Sequence, residues 1–480
     1  MKHKLLNKKK ERFIAGDLNP LLILKKNKSN LMHKSLKIIF IALLLITSFK
    51  VVFAQDNPLK ITGKFSTDQR FRTAKPQSWS WNETRIDLSM SKKFEDKAKF
   101  YSNIWFRNIG FSNLTALNQL YDKGQTSPFN IDLQEAYIDV NNFIFKDLNL
   151  KAGRQKFNWG TGDKLNPVNT LNPLDLEDIW DFGRYQGSDA MKLTYYLKSL
   201  KFEGIWLPFF RPSTLPIGDW AEAFMTIPEL PAGISLNSLI NHIQMPDLSL
   251  KNSSSYGFKS SATIGSFDLA LHYTYFYDPI PSPDSNVITF AGSFTKINVN
   301  AFQQYIRLHN AGLSFSGELF KFGVWGEFSA FIPLEELNMQ TVFGTSVMDS
   351  LILENKPWYK YLIGTDYTFK DGSYLNIQYL HGFFHEKGNA NLNDYFTIAW
   401  YKKFLQDKLK ITPLSGSFIV ADWKDLGNKY VFIYNPEISF MPNDNTEIGL
   451  GVRIIYGKGG STFATVKDKD EVFIKIGYNF

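Results

Sequence analysis

The residues best able to do chemistry crowd into one stretch, Ala152–Asp181 (AGRQKFNWGTGDKLNPVNTLNPLDLEDIWD). Asp163, Asp175, Glu177, Asp178 and Asp181 supply carboxylates, while Arg154, Lys164 and the nearby Arg184 supply base. Asn166-Pro167 and Asn172-Pro173 are turn-initiating pairs, and Trp159 and Trp180 are large enough to anchor a loop against a wall. Opposed charges held across a narrow pore set up a transverse field that sorts solutes. The same residues admit two blander uses. Gly, Asn and Pro could merely shape a surface loop with Arg154 in a structural salt bridge. Alternatively, Asp175, Glu177, Asp178 and Asp181 carry the hard oxygens a divalent cation takes, although no recognised ligand spacing is present, so no metal is expected.

Catalytic machinery is not apparent. There is no G-x-S-x-G elbow, no H-E-x-x-H and no phosphate-cradling glycine loop, and Cys is absent. His242, His272, His309, His381 and His385 fall on different elements. His272 shares a strand face with Asp268, which suits a hydrogen bond better than a base. The expectation is a protein that is not an enzyme and needs no cofactor.

The formal charge of +8 misleads about partners. Twelve of the 54 Lys and Arg but only two of the 46 acids precede residue 55, so the remainder is close to neutral, and a nucleic-acid partner is not expected. Met32–Lys37 is a short basic region, Ile38–Phe49 an apolar core, and Val52-Phe53-Ala54 a cleavage site before Gln55. That core is too short to span a membrane, which takes about 20 residues. Residues 32–54 therefore read as a signal peptide, residues 1–31 as an over-extended start, and 55–480 as the mature domain.

After residue 54 the hydropathy period is two. In the last segment Val472, Ile474, Ile476, Tyr478 and Phe480 share one face and Lys475, Gly477 and Asn479 the other. A chain ending on Phe with apolar residues at alternate places resembles the terminal signal read by the outer-membrane barrel assembly machinery. Low mean hydropathy (−0.21) with 16% aromatics suits strands that are apolar on one side and polar on the other. About 18 such segments can be placed, with 16 as the alternative. Short turns (95–97, 198–199, 265–266, 316–317, 370–372, 406–407, 442–445) alternate with long links (67–80, 108–130, 158–188, 209–254, 278–302, 332–356). The pattern specifies an all-β, antiparallel up-and-down transmembrane barrel, with short periplasmic turns, long external loops and no N-terminal plug domain. Pro413 and Pro436 fit poorly, because proline cannot donate to a ladder. In the fourth long link, Leu236–Ile243 between Pro231 and Pro246 reads as a short amphipathic helix.

Gly153-Arg154-Gln155, Trp159-Gly160, Asn166-Pro167 and Asn172-Pro173-Leu174-Asp175 together resemble a group of largely uncharacterised, porin-like outer-membrane barrels that share a G-R-Q, W-G, N-P-x-D pattern. Asn252–Gly257 and Ile438–Gly451 look like strand starts of the same group. The resemblance implies a barrel and transport but no particular substrate. Counted along the chain, the motif lies in the third long link, and classical porins fold their third loop inward as a constriction. Asp163, Asp175 and Asp178 should then face Arg154 and other wall bases. The inward positions Lys192, Lys259, Asp268, Glu327, Asp366, Asn376, Gln378, Glu447, Arg453 and Lys475 are polar and mixed in sign, as a wet lumen for small polar solutes requires. The other reading is an adhesin or structural barrel acting through its external loops. Outer-membrane lipid, the assembly machinery and a small solute are the expected partners.

Overall fold

Alternation decides which side of each strand meets lipid. In the last strand Val472, Ile474, Ile476 and Tyr478 are exposed, whereas Glu471 and Phe473 on the other face are buried. In the computed structural model, which describes residues 58–480 apart from 225–231, 293 and 460, this pattern repeats around a closed wall. The leader and the proposed start at Met32 lie outside the described residues.

The first strands are β1 (Lys60–Arg72), β2 (Ser78–Phe94), β3 (Ala98–Ile109), β4 (Phe129–Val140), β5 (Leu148–Gln155), β6 (Ser188–Leu197), β7 (Leu200–Leu207) and β8 (Ser235–Gln244). They are followed by β9 (Ser255–Ile264), β10 (Phe267–Tyr277), β11 (Ser282–Phe290), β12 (Lys296–Gln304), β13 (Arg307–Leu319), β14 (Phe322–Pro333), β15 (Leu337–Phe343) and β16 (Ser346–Leu353). The chain ends with β17 (Trp358–Thr368), β18 (Tyr374–His381), β19 (Asp394–Phe404), β20 (Leu409–Val420), β21 (Tyr430–Tyr434), β22 (Glu437–Asn443), β23 (Thr446–Lys458) and β24 (Glu471–Asn479).

Nineteen of these form one antiparallel sheet. β24 pairs with β1 from Lys64↔Asn479 to Arg72↔Glu471 and so removes both edges. β21 and β22 each bond β20 on one side and β23 on the other. They are one strand broken at Asn435-Pro436, so the barrel has 18 strands. Pro413 lies opposite that break, beside a register shift between Trp400 and Lys402. Asn435 donates its N–H to Ser415 O (2.8 Å), and Pro413 O accepts from the Tyr434 hydroxyl (2.7 Å), so the interruption leaves these groups partnered.

One rim carries short turns and the other long loops, as the sequence suggests, with three adjustments. β1 runs on to Arg72, which reduces the first link to residues 73–77. The turn placed at 316–317 is at 320–321, because β13 continues to Leu319. Leu236–Ile243 is not a helix. It lies within β8, which pairs in parallel with β12, so tertiary pairing overrides the helical reading of a short apolar run. β8, β12, β11, β15 and β16, all from long loops, build a separate five-stranded sheet.

Much of the apolar core sits inside the wall. Leu165, Ile179 and Trp220 from the long loops pack with Leu362, Leu380, Ile419, Val431 and Ile455 from strands, and Phe463 and Val466 complete the cluster.

Candidate functional site

The segment 156–187, joining β5 to β6, is laced to itself before it meets the wall. Asn172 Oδ1 accepts from Phe157 N (2.9 Å) and its Nδ2 donates to Phe157 O (2.5 Å), closing the neck of the loop. Asp175 N donates to Arg184 O (2.9 Å) and Gln186 N to Pro173 O (2.9 Å), which makes a hairpin of the second half. Gly183 has φ +81°, and a Cβ there would lie 2.8 Å from the Lys164 backbone, so only glycine suits this crossing.

The first half docks on the inward faces of β10, β14 and β18. Glu327 on β14 is the principal anchor. Its Oε1 accepts from Thr161 N (2.5 Å), Gly162 N (2.7 Å) and Asn166 Nδ2 (3.0 Å), and its Oε2 accepts from Val168 N (3.2 Å). Gln378 on β18 accepts from Asp163 N (2.9 Å) and donates to Asp163 O (3.2 Å). Ser329 Oγ donates to Pro167 O (3.1 Å), and the Thr170 and Thr274 hydroxyls pair at 2.8 Å. Trp159 is buried against His272, whose Nε2 is 2.8 Å from Ser314 Oγ rather than engaging Asp268.

The second half docks through charge on the far wall. Asp178 forms a bidentate pair with Arg70 of β1, with Nη1 donating at 2.7 Å, and Arg70 also binds Asp68 (2.6 Å). Arg70 is 0% exposed, so this pair is shielded from the solvent that weakens surface ion pairs. Glu177 accepts from Arg107 of β3 (2.6 Å) and from Arg184 (3.2 Å). Arg184 Nε is 2.9 Å from Asp175 and its Nη1 3.7 Å from Asp181. Burial alone would raise the Asp178 carboxyl, but Arg70, with Arg453 and Arg184 behind it, outweighs burial and holds it well below the usual carboxylate range. For Glu177 burial wins over Arg107, and its carboxyl is pushed up. Tryptophans back the arginines. Arg70 lies over Trp81 (4.7 Å), Arg85 over Trp105 (4.3 Å) and Arg453 over Trp180 (4.7 Å).

The motif residues therefore separate. Trp159, Asn166, Pro167, Asn172, Pro173, Asp175, Glu177, Asp178 and Arg184 are packed into the docked segment, whereas the side chains of Asp163, Lys164 and Asp181 are exposed. Asp175, Glu177 and Asp178 face arginines instead of converging as ligands for a cation. Arg154 is not their partner. It pairs with Asp189 (Nη2–Oδ2 2.9 Å) on the strand face that also carries Met191 and Leu193, which is the outer face. Counting alternation back from inward-facing Lys151 and Gly153 gives the same answer. The bases that take the carboxylates, Arg70 and Arg107, escape notice in the sequence because both lie near strand–loop boundaries. One signal for Arg70 is nevertheless present. Asp68, Arg70 and Arg72 occupy every second place, which marks a strand where the sequence reading puts a loop. The C-terminal Phe480 exchanges both backbone bonds with Gly63 (2.8 Å each), next to the seam between β24 and β1.

A closed barrel with an apolar exterior, charged and polar groups beside an apolar cluster in its interior, and one rim of long loops is a porin-like β-barrel of the cell outer membrane. By sequence, residues 81–342 match the family described as protein of unknown function DUF1302, and the chain belongs to that family. No curated protein matches it by sequence. Among solved structures, Acinetobacter baumannii OccAB1 shares the fold with a TM-score of 0.50 at 10% identity, over 89% of this chain and 97% of that one. Acinetobacter baumannii OccAB3 aligns with a TM-score of 0.47 at 9% identity, over 88% and 99% of the two chains. OmpF of Salmonella typhi, solved in complex with daunomycin, aligns with a TM-score of 0.40 at 9% identity, over 88% and 98%.

Proposed function

We propose that this protein is an outer-membrane channel for small polar solutes, with segment 156–187 as its constriction. The observation that carries the reading is the docking of one loop on opposite walls, by Glu327 on one side and by Arg70 and Arg107 on the other. A loop inside a barrel must satisfy its own backbone, and this one does so with strand side chains. Asp181 on the segment and Asp132 and Arg85 on the wall are partly or fully exposed and mixed in sign, although each has an ion-pair partner. They suit a charge-sorting passage. No catalytic group, cofactor or metal enters this reading.

Single-channel recording in a planar bilayer tests it. Shortening the loop between Gly162 and Asp181 should raise conductance. Asp175→Asn with Asp178→Asn should uncover Arg184 and Arg70 and shift selectivity toward anions. That shift should shrink at 1 M salt, where the Debye length is about 3 Å. A shortened barrel that folds normally and conducts as the parent does removes the constriction reading.

The five-stranded sheet built from three external loops favours a second reading, an adhesive or scaffolding barrel. It is distinguished by a parent protein that folds, carries no current and binds surfaces only while β8 and β16 are intact.

A further inference from the structure

Between the Asn-Pro turns and the wall lies a cavity of about 60 Å³, more than a single water needs. Leu174, Phe276, Ile280, Phe331, Trp358 and Phe384 form most of its apolar lining. The polar groups at its edge are already engaged. Lys360 Nζ donates to Phe383 O (2.6 Å) and Phe384 O (3.2 Å). Asp278 pairs with Lys387 (3.3 Å), Thr170 with Thr274 (2.8 Å), Asn166 donates to Gly162 O and Glu327, and Asn172 bonds within the loop. One donor is left over. Trp358 is 1% exposed, its ring is stacked on Phe331 (5.4 Å, 10°), and its indole N–H has no partner among the described residues. A buried donor without a partner requires an explanation.

A second cavity shares Thr170, Phe276 and Pro279 with the first and continues to Phe209, Phe210 and Tyr277. Phe209 is 59% exposed, so aromatic side chains run from the protein surface to the buried site.

We infer that the cavity under the Asn-Pro turns is a binding site for a small uncharged apolar molecule carrying one hydrogen-bond acceptor, such as an aromatic ketone. Its rings and alkyl groups replace water against the aromatic lining, and its acceptor takes the Trp358 N–H. The site is distinct from the charged arc of the channel reading and does not depend on ion conduction.

The test uses the full mature barrel in lipid nanodiscs with 4-fluoroacetophenone, followed by ¹⁹F NMR against empty nanodiscs. Fluorobenzene, which has a ring but no carbonyl acceptor, is run in parallel. The parent should show saturable binding of the ketone that unlabelled acetophenone reverses and glucose does not. Trp358→Phe keeps the ring and removes the donor. It should weaken the ketone about 5-fold, the equivalent of about 1 kcal/mol, and leave fluorobenzene unchanged. Ile280→Trp fills the cavity and should abolish both signals in a barrel that still shifts in mobility on heating. Conductance of Trp358→Phe should equal the parent's, so failure here and failure of the channel reading are separate results. The inference is overturned by any of three outcomes: no saturable signal above empty nanodiscs, a signal that survives in folded Ile280→Trp, or ketone and fluorobenzene affinities that respond alike to Trp358→Phe.

Discussion

Glu327→Ala removes the acceptor on which four donors of segment 156–187 converge, at 2.5, 2.7, 3.0 and 3.2 Å. Three of these donors are backbone N–H groups. Bonds to a charged acceptor contribute about 1.5–3 kcal/mol each, and a buried donor left unmet costs about 1–3 kcal/mol. Relief of the carboxylate's own desolvation offsets part of the loss. A net loss of about 3 kcal/mol in docking of this end is a reasonable centre, and at 1.4 kcal/mol per tenfold it raises the undocked population roughly a hundredfold. The wall itself should survive, because the backbone pairings Ser314↔Glu327 and Glu327↔Leu362 do not use the side chain. Two assays read the docked end directly. Single-channel traces should show frequent excursions to a larger conductance, and brief trypsin treatment should cut after Lys164 faster than in the parent. Glu327→Gln should fall between the two, since its amide oxygen can still accept while its NH₂ would oppose the Val168 N–H. If folded Glu327→Ala matches the parent in both the conductance distribution and the cleavage rate, the anchor assignment is wrong.

Three further outcomes are expected. Arg70→Met strands Asp178 and should cost about 3–5 kcal/mol, as breaking a buried pair does, whereas Arg70→Met with Asp178→Leu should recover most of the urea midpoint. His385 in the loop 382–393 is pushed down to about 3, chiefly by burial and then by Lys360 and Lys387. A histidine held neutral contributes stability that is complete above its ordinary value near 6.5 and is lost as pH falls toward 3. Thermal midpoints should therefore drop between pH 6.5 and 4, with a shallower slope in His385→Gln. Phe480→Asp keeps the backbone bonds to Gly63 but removes the terminal aromatic ring, so if that ring is the assembly signal, less heat-modifiable barrel should be recovered from outer membranes.

The wall was legible because lipid on one side and a polar interior on the other leave a mark at every second residue. All ten inward positions named from alternation, Glu327, Gln378 and Arg453 among them, share faces with buried lumen residues. Loops leave no such mark. Nothing local says that Asp178 will meet Arg70, 108 positions earlier in the chain, and Leu236–Ile243 carries apolar residues at spacings that serve a helix or a strand until β12 lies beside it. Arg154 misleads for a different reason. Its neighbours in the motif suggest a partner in the lumen, although β5 continues through Gln155 and alternation already turns its side chain outward.

Pro413 and Pro436, which look like flaws in their strands, have a consequence for how the last part of the barrel can be put together. A strand of period two can slide by two residues and still present the right face to lipid. Here such a slide would carry Pro436 away from the break and set it where β20 or β23 requires an N–H, and it would part Asn435 from Ser415 and Tyr434 from Pro413. The two prolines thus work as a keyed joint: among the alignments that hydrophobicity alone permits for β20 to β23, one closes without a missing bond.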